Sequence, residues 1–177
     1  MYKVKPLYFF DFYNWILLNN IADPRWWLLF ISIFWPWIVW WKLIAKKRLF
    51  EILAYGLLWA AMATWLDLLG TSNGMWEYPF KLYHKVSCLL PADVSVIPVL
   101  FMLLYQYGER WRTFLLGSVI VSTLLSFIFE PIFLKMNMLN LITWTHIKSW
   151  VSFIFLALVT RLIITLLKKA QRKFLVD

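Results

Sequence analysis

Charge is scarce in this chain. Asp, Glu, Lys and Arg make up 15% of it, where an average soluble domain holds about 25%. At 63% hydrophobic residues in a chain of 177, a soluble domain could not bury its apolar surface. That class is excluded, and the expected solvent is a bilayer. Cysteine occurs once, at Cys88, which rules out an intrachain disulfide and a multi-cysteine metal site. The two histidines, His84 and His146, stand alone in connections and form no ligand signature, so no metal or cofactor is expected. A Gly-rich phosphate loop, a nucleophile elbow and a zinc motif are all missing. Residues 1–20 carry Asp11 and bulky aromatics without a small-residue cleavage site, so no cleavable signal peptide is expected.

Basic residues are present in excess, giving a net charge of +9. They sit mostly between apolar runs and accompany no nucleic-acid-binding pattern. Nucleic acid is therefore not expected as a partner, and anionic lipid is. Thirteen Trp, eight Tyr and fifteen Phe suit aromatic belts at both bilayer surfaces as well as packing.

The pattern predicts one all-α membrane domain over residues 1–177. Residues 1–23 are aromatic and interrupted, and read as an interfacial helix. Asp23-Pro24 is a helix start, with Asp as cap and Pro at the first helical position. Five spans follow, at about 26–41, 49–70, 93–107, 113–134 and 149–167, with residues 168–177 as a basic tail. Pro36 is expected to bend the first span, and Pro98 the third unless it sits within the first turn. A sixth crossing would need residues 1–23 to pass through the bilayer. With five spans, ten Lys and Arg lie on the side of the tail, clustered at span ends, and seven on the other. The positive-inside rule then places the N-terminus outside and the C-terminus in the cytoplasm.

Two helical faces carry the polar residues. Gly56, Ala60, Ala63, Thr64 and Asp67 share one face of the second span. Small residues let membrane helices approach closely, so Asp67 is expected to point into the bundle. Ser118, Ser122, Ser126 and Glu130 recur every four residues on the fourth span. Asp67 and Glu130 each lie roughly 25 Å along their helices from the inner boundary, at 1.5 Å per residue. Asp93 starts its span from the outer side. All three carboxylates thus reach one outer depth, with Trp76, Tyr78 and Pro79 placed to wall a pocket above them. Clustered carboxylates suit proton transfer or cation binding. Taken singly, Asp93 also reads as a helix cap, Glu130 as interfacial, and Trp76 and Tyr78 as belt residues beside a turn. Arg161 is expected to snorkel inward or to pair with Glu51. Cys88 reads as a small buried residue.

Several stretches also carry a resemblance: Trp65-Leu-Asp67, Gly74-Met-Trp76-Glu-Tyr78-Pro79, Leu90-Pro91, Pro98-Val99 with Met102-Leu-Leu-Tyr105-Gln106, and Phe129-Glu130-Pro131 followed by Trp144. Over about residues 50–167 the chain resembles an uncharacterised family of small multi-pass membrane proteins found mostly in spore-forming bacteria. The resemblance implies a bacterial plasma membrane and brings no activity. In architecture, the succession of Asp, Gly-x-Trp-x-Tyr and Pro-x-acid is similar to lycopene cyclase-type membrane proteins, which use carboxylates at helix ends for acid-base work on polyenes. The chain departs from them at Pro91-Ala-Asp93, where the cyclases typically carry paired acids, and it is shorter.

The expected function is binding of a lipid, small ligand or protein partner at an outer polar pocket made by Asp67, Trp76, Tyr78, Asp93 and Glu130. One alternative is an enzyme acting on a lipid or isoprenoid, with Asp67 and Glu130 as catalytic candidates. Another is a proton or cation pathway along the serine face. A single chain this small would need to form a homo-oligomer for that role.

Overall fold

The computed structural model describes residues 23–83 and 86–174, with side chains to residue 173. Residues 1–22 of the interfacial helix expected over residues 1–23, and the lone His84, lie outside the described residues. The described chain is all-helical apart from one two-residue ribbon. Its helices are α1 (Pro24–Leu43), α2 (Leu49–Ser72), α3 (Ala92–Tyr107), α4 (Trp111–Lys135) and α5 (His146–Phe174). α1, α2, α4 and α5 are long and apolar enough to cross a membrane, while α3 is shorter.

Sequence chemistry sets the ends. Asp23 caps α1 by accepting from the Arg25 amide at 2.8 Å, with Pro24 at the first helical position. The Arg25 guanidinium, hydrogen-bonded to the Asp23 carboxylate, holds its pKa below the usual value. Gly74 adopts a left-handed φ of 63° in the turn that leaves α2, a conformation glycine takes without a Cβ penalty.

Two prolines reshape helices where acids sit. Pro98 and Pro131 have no N–H to offer the carbonyls of Val94 and Phe127, four residues back. Around each freed carbonyl the helix widens into a π-helical turn, over Ala92–Val96 and over Leu125–Phe129. Asp93 lies inside the first turn, and Glu130 follows the second directly.

α2 is the central helix, packed against α3 and α5. α4 lies along α5, and α1 covers the start of α3. The core is aromatic. Tyr55 stacks on Tyr105 at 4.4 Å between ring centroids, and Trp59 stacks on Phe101 at 4.9 Å. Both pairs join α2 to α3, and all four rings are buried. Gly56 admits the Met102 side chain where a Cβ would overlap it. A second small core of Leu29, Leu89 and Met138 lies under the connections at one end. Outward faces stay apolar, with Trp35, Leu57, Trp65, Leu116 and Phe155 among the exposed residues.

α3 runs antiparallel to α2. Its start lies beside the end of α2, as the Asp67 contacts below show. At its other end, the Gln106 amide accepts from the Ala45 N–H at 2.8 Å and donates to the Leu43 carbonyl at 3.0 Å. That amide satisfies backbone groups left over where α1 stops.

Candidate functional site

Asp67 lies on the buried face of α2, with Gly56, Ala63 and Gly70. Beyond Gly74 the chain doubles back, and Trp76–Glu77 pairs antiparallel with Asn140–Leu141. The Ile142 and Thr143 amides both donate to the Met75 carbonyl at 3.0 Å. The two connections at this end are thereby fastened together as a cover. The cover feeds three donors to one carboxylate. Trp76 Nε1 donates to Asp67 Oδ1 at 2.6 Å, and the Tyr78 hydroxyl donates to the same oxygen at 2.8 Å. The Leu89 amide donates to Oδ2 at 2.9 Å. Burial, and then the Asp67 charge, raise the Tyr78 pKa well above its ordinary value, so the phenol stays a donor.

Asp93 comes to the same place from α3. One ligand atom each from Asp67, Asp93 and Cys88 lie within 4.8 Å of one another, and all three residues are buried. Asp93 is 7% exposed, and its Oδ2 has no hydrogen-bond partner among the described residues. Asp93 therefore does not cap α3, as one reading of the sequence expected. It sits within the opening π turn, where its side chain satisfies no amide among the described residues.

The donor set can be tested against a metal. A carboxylate offers about four lone-pair sites, and three of those on Asp67 are filled by Trp76, Tyr78 and Leu89. Burial, followed by the Asp93 and Asp67 charges, pushes the Cys88 thiol up to about 11, so it is a neutral thiol at pH 7. The remaining capacity fits a proton shared between the two acids better than a metal coordination shell.

Glu130 does not join this pair. It binds His146 Nδ1 at 2.7 Å across the α4–α5 connection. Trp144 Nε1 donates to Ser149 Oγ at 3.0 Å, and the Trp144 ring packs on Trp76 at 5.0 Å. The expected outer set is thus two clusters, Asp67–Asp93 and Glu130–His146, with a tryptophan pair beside them. His146, expected to stand alone, is a partner of Glu130. Ser118, Ser122 and Ser126 are fully buried, as their spacing predicts. Ser118 bonds the Phe114 carbonyl, while the hydroxyls of Ser122 and Ser126 have no partner among the described residues.

Of the two expectations for Arg161, the pairing is corrected. Arg161 does not pair with Glu51. It donates to the carbonyls of Gly108 and Glu109, where α3 ends. Glu51 is engaged instead by Arg48, Lys168 and the Tyr105 hydroxyl.

Gly70 is a site residue that the face pattern missed. A Cβ there would overlap the Trp76 ring, and the hydrogen bond to Asp67 pins that ring. Gly70→Ala is expected to cost about 2 kcal/mol by overpacking and to speed hydrogen exchange at the Trp76 indole N–H. Selective nitrogen-15 labelling of tryptophan would read that exchange. Gly56→Ala should cost less, because Met102 is flexible.

No family model, curated protein or solved structure matches the chain.

Proposed function

We propose that this chain is a five-span membrane protein that binds one small positive charge at an outer-face acid pair, a proton in the resting state. Four membrane-length apolar helices and their exposed apolar faces support the bilayer setting. α3 supports a fifth crossing, since it begins beside the end of α2 and finishes beside its start. The clustered basic residues at the Arg48, Arg110 and Lys168 end favour that end as cytoplasmic. The acid pair then lies toward the outer surface of a bacterial plasma membrane.

The observation that carries the reading is the buried Asp93 Oδ2, without a hydrogen-bond partner among the described residues, beside an Asp67 that already accepts three hydrogen bonds. Two carboxylates this close and this dry are not both ionised without a cation. The lone-pair count at Asp67 selects a proton. Infrared difference spectroscopy of the purified protein tests this. Wild type at pH 7 should show a protonated carboxyl stretch that shifts in deuterated buffer and is lost in Asp93→Asn. A wild-type spectrum without that band would sink the reading.

A second reading, acid-base chemistry on a lipid or isoprenoid, is favoured by the same free oxygen, which leaves the pair an unused position for handing over its proton. Turnover of a membrane lipid extract by wild type but not by Asp93→Asn would support it. No product from any extract would remove it.

A further inference from the structure

The opposite end of the bundle holds a cavity of about 440 Å³. It lies where α2 starts, α3 ends, α4 starts and α5 finishes. Five cations line it: Arg48, Arg161, Lys168, Lys169 and Arg172. Two carboxylates, Glu51 and Glu109, face them. The lining therefore holds three positive charges more than negative ones.

That excess is localised. Glu51 is already satisfied by Arg48 at 3.0 Å, Lys168 at 2.8 Å and the Tyr105 hydroxyl at 2.7 Å. Arg161 is committed to the Gly108 and Glu109 carbonyls. Glu109 is 80% exposed and, among the described residues, pairs only with Arg48, at 3.7 Å. Lys169 and Arg172 have no ion pair or hydrogen bond among the described residues. Lys168, Lys169 and Arg172 leave a single helical turn of α5 toward the cavity, so their charges are held together against their own repulsion. Trp111 gives the cavity an apolar wall, and Thr165 contributes a hydroxyl.

We infer that this cavity binds a phosphate-bearing anion, presented as the headgroup of an anionic lipid in the adjacent leaflet. A charge excess of this size suits a phosphomonoester, which carries more than one negative charge near pH 7. Arg and Lys are the side chains that recognise phosphate oxygens. Basic pockets between helices at the cytoplasmic surface are where such headgroups bind. Exposed Leu162 and Leu166 on α5 continue from the cavity as an apolar track for acyl chains. The site is independent of the acid pair at the other end. Only its lipid source rests on the membrane reading; binding of phosphate itself does not.

Isothermal titration calorimetry on the detergent-solubilised full chain tests it, with three probes: dioctanoyl phosphatidate, dioctanoyl phosphatidylcholine and inorganic phosphate. Phosphatidate should bind saturably, phosphatidylcholine should not, and phosphate should bind more weakly. The double variant Lys169→Gln/Arg172→Gln removes two exposed side chains and should keep the fold. Each basic residue at a membrane surface contributes about 1 kcal/mol, so the variant should bind phosphatidate about thirtyfold more weakly. Phosphate binding as tightly as phosphatidate would support the site with a soluble anion as its source. No binding of either anion, equal binding of phosphatidylcholine, or undiminished binding by the variant would overturn it.

Discussion

Asp67→Ala should unfasten the cover at the acid-pair end of the bundle, at a net loss of about 3 kcal/mol. The carboxylate holds the indole of Trp76, the hydroxyl of Tyr78 and the amide of Leu89. Hydrogen bonds to a charged group contribute about 1.5–3 kcal/mol each, and a buried donor left alone costs about 1–3 kcal/mol. Three orphaned donors would therefore cost more than 3 kcal/mol. Relief of the crowding against Asp93 offsets part of it. Thermal unfolding in detergent would read the loss. Limited proteolysis should locate it between residues 73 and 91, the stretch tied down by those bonds.

Asp67→Asn is the discriminating comparison. Its amide oxygen can take the Oδ1 position and keep both aromatic donors. Its NH2 can turn to the free Oδ2 of Asp93. Only the Leu89 amide loses its acceptor, so the loss should be about 1 kcal/mol. Asp67→Asn should keep the cover folded while ending proton sharing. Equal losses in the two variants would mean that the three bonds do not hold the cover.

Periodicity and hydropathy made the helices legible. The spans expected at 49–70 and 149–167 lie inside Leu49–Ser72 and His146–Phe174, because long apolar runs with basic flanks have few alternatives. The buried position of Asp67 was legible as well, since Gly56, Ala63 and Asp67 share a face at 3.6 residues per turn. Convergence was not. Rise per residue gives the depth of Glu130 and says nothing about which neighbour its side chain meets. That choice depends on how α4 turns against α5, and it brings His146 to Glu130 in place of Asp67. The π turns were half visible. Pro98 announced a disturbance, but a proline alone does not say whether a helix bends or widens, and Pro131 had raised no expectation. The ribbon at Trp76–Glu77 had no signal at all, because a two-residue pairing with residues 140–141 has no periodicity to detect. The same holds for Gly70, whose role is set by a ring that returns to it from across a turn.

Arg161→Met should produce the second large loss, about 3 kcal/mol, at the end away from the acid pair. Hydropathy alone would predict the reverse, since an apolar side chain replaces a charge on an apolar helix. The geometry decides against that. Arg161 is 7% exposed, and its fork reaches two carbonyls, Gly108 and Glu109, where α3 passes into α4. Carbonyls at a helix end have no partner of their own within the helix. The guanidinium also lies over the rings of Phe114 at 4.4 Å and Trp111 at 4.6 Å. Two charge-assisted bonds at about 1.5 kcal/mol each, with roughly 0.5–1 kcal/mol from each ring face, exceed what burial of a Met side chain returns. Arg161→Lys separates the contributions. An ammonium keeps the charge but cannot present a planar fork to two carbonyls while stacking on two rings. It should recover less than half of the stability. Thermal unfolding of wild type, Arg161→Lys and Arg161→Met in one detergent would rank them in that order. If Arg161→Met were as stable as wild type, the junction of α3 and α4 would not depend on this arginine.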